Sequence, residues 1–144
     1  MSFEYYGWIK VVPSDWDDPE PEEWRRREAE VSRMARDGVA TFRDRIPGLT
    51  VVTDAFDGAK VIHMHGALKH GPGQATKEFF VWAAENLQVS YGLLYYCDSE
   101  AGEEGDQFFV VRLAAGECTT HRDSLLSPKF DVVDLSRPPD DKAE

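Results

Sequence analysis

Four histidines, two cysteines and a dense set of carboxylates are the groups in this 144-residue chain that could do chemistry. His63 and His65 stand two apart in "KVIHMHGAL", so on a strand both point to one face of its sheet. With His121 from another strand, or His70 from "KHGPGQ", they would make the ligand set of a small metal-dependent enzyme. Neither HExxH nor a paired CxxC accompanies them, and alternating strand histidines more often pack or face solvent. Nucleophilic catalysis has less to offer. Ser124 and Ser127 lie near "HRD" without a GxSxG elbow, and the carboxylates beside Cys97 disfavour the thiolate that a catalytic cysteine needs. "HGPGQ" and "GEEG" match neither a dinucleotide nor a P-loop fingerprint. The residues make no positive case for an enzyme and imply no cofactor.

The carboxylates do form a pattern. They concentrate at 15–23, 98–106 and 131–141, within a chain of net charge −11. The middle stretch, "DSEAGEEGD", carries Asp98, Glu100, Glu103, Glu104 and Asp106 with no Lys or Arg among them. Clustered like charge opposes folding through self-repulsion, so a cluster says more than a scatter. Such a field repels nucleic acid and anionic membranes and attracts a basic partner. Trp16, beside Asp17 and Asp18, could anchor such a partner by filling a pocket or stacking on Arg, or it could staple the start of a helix to the core. A solvated, merely soluble surface is the competing reading of the charge as a whole.

These groups need elements to hold them. "FEYYGWIKVV" reads as a strand ended by Pro13, and the acidic, proline-bearing approach suits the first turn of a helix from about Glu20 to Arg45. Trp24, Val31, Met34, Ala35, Val39, Phe42 and Ile46 make its apolar stripe, Gly38 weakens its interior by about 1 kcal/mol relative to Ala, and "IPG" stops it. The runs 49–56 and 59–68 form a hairpin expected to turn at Asp57-Gly58. "ATKEFFVWAAENL" is a second helix, with Phe80 and Val81 widening its apolar surface. "SYGLLYYC", "QFFVVRLAAG" and "ECTTHR" are strands, with a tight turn at Gly116. The order β-α-β-β-α-β-β-β predicts one α+β domain over 1–135 with a mainly antiparallel sheet and two helices, and a polar, frayed tail over 136–144. Cys97 and Cys118 are expected to be free. Without a signal sequence, a membrane span or a coiled-coil heptad, a cytoplasmic monomer is expected.

"FEYYGWIKV", "HMHGALKHGPGQ", "SYGLLYYCDSE", "FVVRLAAGE" and "RDSLLSP", in this order, resemble the immunity protein 7 family of bacterial polymorphic toxin systems, from about Phe3 to Asp134. The resemblance implies a single α+β domain without catalytic residues that binds and neutralises a cognate toxin in interbacterial competition. The matching positions are Gly7, Trp8, Gly66, His70, Tyr91, Gly92, Leu94, Tyr95, Ser127 and Pro128, and it implies structural roles for them: glycines for turns or close approach, aromatics for the core, Ser-Pro for a terminal turn. Joined to the charge pattern, it implies a partner toxin domain with a basic surface, of nuclease type, met by Asp98, Glu100, Glu103, Glu104 and Asp106, with the 15–23 segment and Trp16 as a second contact. A small-molecule-binding α+β domain with an aromatic-lined pocket is a further alternative beside the metal enzyme.

Overall fold

A computed structural model describes residues 3–13, 20–68, 73–99 and 107–126. Trp16, Asp17, Asp18, His70, Glu100, Glu103, Glu104, Asp106, Ser127, Pro128 and the 136–144 tail lie outside these residues. Six strands form one antiparallel sheet: β1 (Phe3–Val11), β2 (Thr50–Thr53), β3 (Lys60–Leu68), β4 (Tyr91–Asp98), β5 (Phe108–Ala114) and β6 (Glu117–Arg122). The spatial order is β2-β3-β1-β4-β5-β6. Helices α1 (Pro21–Phe42) and α2 (Gln74–Asn86) complete the expected order and class. Neither helix is long and apolar enough to cross a membrane.

β1 lies inside the sheet, with β3 on one side and β4 on the other. Its odd positions, Phe3, Tyr5, Ile9 and Val11, are buried. By register they share a face with Ile62, Met64, Leu94, Tyr96, Val111 and Leu113. Both helices lie on that face. Ala35 and Val39 from α1, and Ala75, Phe79, Phe80 and Ala83 from α2, join the same core. The predicted stripe of α1 is therefore the buried one, although Trp24 at its start stays exposed. α1 also ends earlier than predicted, at Phe42, whose carbonyl accepts from the Arg45 and Ile46 N–H groups in a closing turn. On α2, Phe80 is buried as its apolar width suggested, but Val81 faces solvent.

Three family-like glycines have steric reasons on this covered face. A Cβ on Gly92 would stand 2.0 Å from the Trp8 carbonyl oxygen, one on Gly7 2.9 Å from Met64 Cγ, and one on Gly66 2.9 Å from the Tyr5 hydroxyl. The bulk of the neighbours needs those gaps: Tyr5 crosses Gly66 and donates to the Pro47 carbonyl at 2.6 Å, tying β1 to the turn that ends α1. Gly38 makes room in the same way where the helices meet, because a Cβ there would lie 2.1 Å from Trp82 Cη2. The helix-weakening residue noticed in the sequence is thus a packing residue.

The β2–β3 hairpin differs from expectation. It turns over Asp54–Ala59 rather than at two residues: Asp54 N–H donates to the Ala59 carbonyl at 2.8 Å, and Gly58 takes φ of 70°. Asp54 and Asp57 account for the widening, since their carboxylates accept from Phe56 and Ala59 N–H and hold local turns. Phe56, read as a strand end, is fully exposed at the tip. The β5–β6 turn is tight as expected, with Ala115 and Gly116 both at positive φ.

The end of β6 is locked by Asp123. Its Oδ2 accepts from the Tyr95 hydroxyl at 2.5 Å, its Oδ1 from the Leu126 and Leu125 N–H groups at 2.8 and 3.3 Å, and its own N–H donates to the Phe108 carbonyl. The Tyr95 hydrogen bond, then the Leu126 and Leu125 N–H groups, hold its carboxyl below the ordinary value of 3.8.

Two stability tests follow from these contacts. Gly38→Ala gains about 1 kcal/mol of helix propensity but must displace an indole ring, which costs roughly 1–3 kcal/mol, so Tm should fall; an unchanged or higher Tm would show that Trp82 moves freely. A carboxyl depressed in the folded state contributes stability that is complete above 3.8 and is lost as pH falls through its lower folded value. Asp123→Asn should therefore lower the urea midpoint at pH 7, and its gap to wild type should narrow below pH 3.8. A gap constant from pH 7 to pH 3 would contradict the assignment.

Candidate functional site

Both helices cover one face of the sheet; the other is buried at Cys97 and Phe108 and, among the described residues, open over its centre. Strand alternation sends β1 even positions to that open face. Trp8 pairs with His63 on one side and Leu93 on the other, and Leu93 pairs with Arg112. One residue pair along, the row runs His65, Tyr6, Tyr95, Val110, His121. Solvated faces of antiparallel sheets ordinarily carry polar residues. Here Tyr6 is 53% exposed, Trp8 37%, Tyr91 45% and Leu93 40%. The rings of Trp8 and Tyr91 meet edge to face at 6.0 Å, and Tyr95 stacks on Phe108 at 4.6 Å.

Two open hollows flank the Trp8–Leu93 pair. One, of about 420 Å³, is lined by Tyr6, Trp8, His63, His65, Leu93 and Tyr95. The other, of about 330 Å³, lies among Trp8, Tyr91, Leu93 and Arg112. Neither cross-strand row contains a carboxylate, and Arg112 is exposed between them and β6. The two central rows are thus free of carboxylates on a strongly acidic protein, while Glu4 and Glu117 fall at same-face positions toward the margins and Asp123 accepts from Tyr95. The described residues hold fifteen carboxylates against twelve Lys and Arg, a net of −3 out of −11, so most of the negative charge belongs to the other segments of the sequence.

The acidic residues expected at a partner interface attach elsewhere. Asp98 is the last residue of β4, half-buried, paired across from Phe3 at the start of β1. The connection bearing Glu100, Glu103, Glu104 and Asp106 leaves from this end and returns at Gln107. The segment bearing Asp17 and Asp18 leaves from the other end of β1, beyond Val11. The two attachments are therefore separated by the length of β1, about 27 Å for its nine residues. The described part of the 15–23 segment is partly self-satisfied: Glu23 is bridged to Arg27 at 2.6 Å and lies 3.8 Å from Arg26.

The metal reading meets a geometric obstacle. His63 and His65 do share a face, as their spacing required, but His121 lies on β6. Four inter-strand steps separate it from His65 in the same row, about 19 Å in all, so these three cannot ligate one ion. No cluster of three metal-ligating side chains occurs among the described residues. Cys97 and Cys118 form no disulfide with each other; they lie on opposite faces of the sheet, and Cys118 donates its thiol to the Phe80 carbonyl at 3.2 Å. Burial pushes the Cys118 thiol up, away from the reactive thiolate.

Trp8 and Tyr91, which the resemblance implied to be core aromatics, are surface residues instead. Both described helices pack on the opposite face, and the strand pattern by itself does not say which face is covered.

A family model for immunity protein 7 matches residues 2–134. Neither the curated proteins nor the solved structures gave a match. With the family pattern spanning nearly the whole chain and the predicted α+β order observed, the chain belongs to the immunity protein 7 family, non-enzymatic inhibitors that neutralise a cognate toxin by binding it.

Proposed function

We propose that this immunity protein neutralises a nuclease-type toxin, and that Asp98, Glu100, Glu103, Glu104 and Asp106 meet the cationic surface with which such a toxin holds phosphate. The observation that carries this reading is the run of five carboxylates, with no intervening cation, from Asp98 at the end of β4 through the connection to β5 at one end of the sheet. Immunity has to outrun damage, and complementary charge raises association toward 10⁸–10⁹ M⁻¹s⁻¹ at low salt. The protein acts as a cytoplasmic monomer before it meets the toxin. Trp16, Asp17 and Asp18 are the secondary contact, reached by a toxin that spans the length of the sheet, because their segment starts at its opposite end.

Replacing the five carboxylates by Asn or Gln should slow association with the cognate toxin at least tenfold at low salt and flatten its dependence on ionic strength, measured by stopped flow. An unchanged on-rate and salt slope would remove the steering role. A single substitution in the loop should matter little, since an exposed ion pair contributes only about 0–1 kcal/mol.

A further inference from the structure

The steering loop does not explain retention. Exposed charges set on-rates, whereas slow dissociation needs apolar anchors that become fully desolvated near the centre of an interface. Among the described residues, such groups converge on the open face of the sheet. Tyr6, Trp8, Tyr91 and Leu93 are all partly exposed there, on adjacent strands, around two hollows. Scattered surface apolar residues need no explanation, but a contiguous patch does. The six strands span about 24 Å and β1 about 27 Å, a flat area near 650 Å², comparable with the roughly 800 Å² that each partner buries in a standard interface.

We infer that this open face is the anchoring surface for the toxin domain, resting on the inhibitor reading above. The charge pattern specifies the partner's chemistry. A uniformly basic surface would set its cations against Arg112. The fitting surface presents protruding aliphatic or aromatic side chains to the two hollows, with carboxylate or carbonyl acceptors facing Arg112, and keeps its cations toward the end of the sheet where Asp98 leads into the acidic connection. A second copy of this chain fits less well. A two-fold contact through this face would bring two Arg112 side chains and two chains of net charge −11 together. The protein thus divides its work: carboxylates at the rim govern encounter, and an aromatic centre whose two strand rows bear no carboxylate governs residence.

The test uses the full chain and the cognate toxin domain carrying an inactivating substitution. Tyr6→Thr with Leu93→Thr removes two anchors while keeping strand propensity. Arg112→Glu reverses the charge at an exposed position of the same patch, and it decides the matter alone should the double variant lose its far-UV signature or melting transition. The off-rate should rise about 30-fold or more in the double variant and about tenfold or more in Arg112→Glu, with on-rates of the double variant within about threefold of wild type. The loop variant should show the converse. Off-rates within about threefold of wild type in folded variants would overturn the anchoring face and leave the inhibitor reading standing. Absence of binding by the wild-type chain would sink both. Self-association of the wild type that the same substitutions dissolve would assign the face to a second copy and overturn the inference.

Discussion

Two helices lie on a sheet of six strands, and that shortage of cover governs the rest of the molecule. All the volume a core needs is gathered on one side, where Tyr5, Ile9, Met64, Phe79, Phe80 and Leu94 are fully buried together. Close packing on that side leaves no space for side chains at Gly7, Gly66 and Gly92, so bulk and its absence alternate from strand to strand. The helices meet at equally short range, with Gly38 under Trp82 and Phe42 edge-on to Phe79. On the far side Cys97 and Phe108 are still buried, but Tyr6, Trp8, Tyr91 and Leu93 stay partly exposed, and the composition there becomes informative.

That composition is unusual for a solvated sheet. Polar alternation would have cost nothing in stability, yet Tyr, Trp and Leu stand there on neighbouring strands. The acids that dominate the sequence avoid the two central rows. On the proposed reading, the separation suits an inhibitor that must be both quick to find its target and slow to release it. These two demands use different physics. Coulomb attraction acts over a Debye length of about 8 Å at physiological salt, whereas desolvation acts only at contact.

Much of the fold was legible because each element carried its own signal. The α1 stripe, the Asp-Gly hairpin, the α2 pattern and the Gly116 turn all identified their elements, and order alone then implied an antiparallel α+β domain. Boundaries and exposure were less legible. Asp54 and Asp57 widened a turn through side-chain hydrogen bonds that no dipeptide rule includes. Trp8 and Tyr91 were implied to be core by the family resemblance, and a strand pattern alone does not decide which face of a sheet is covered. Asp123 was seen merely as part of "RDSLLSP"; its partner Tyr95 lies 28 residues away, beyond any local pattern. The histidines show the limit from the other side: spacing correctly placed His63 and His65 together, but could not say that three strands lie between β3 and β6.

The placement of β1 has a consequence for synthesis. This strand is made before both of its neighbours, which end at Leu68 and Asp98. At translation rates of about 5–20 residues per second, β1 waits roughly 5–20 s before its second partner exists. Its aromatic residues point both ways throughout that interval, and the nascent chain has no local way to hide them. Such long-range closure makes for slow folding and a window for misassociation. The delay between making an antidote and having it ready is therefore written into the strand order, and it favours a cell that keeps the folded protein in stock.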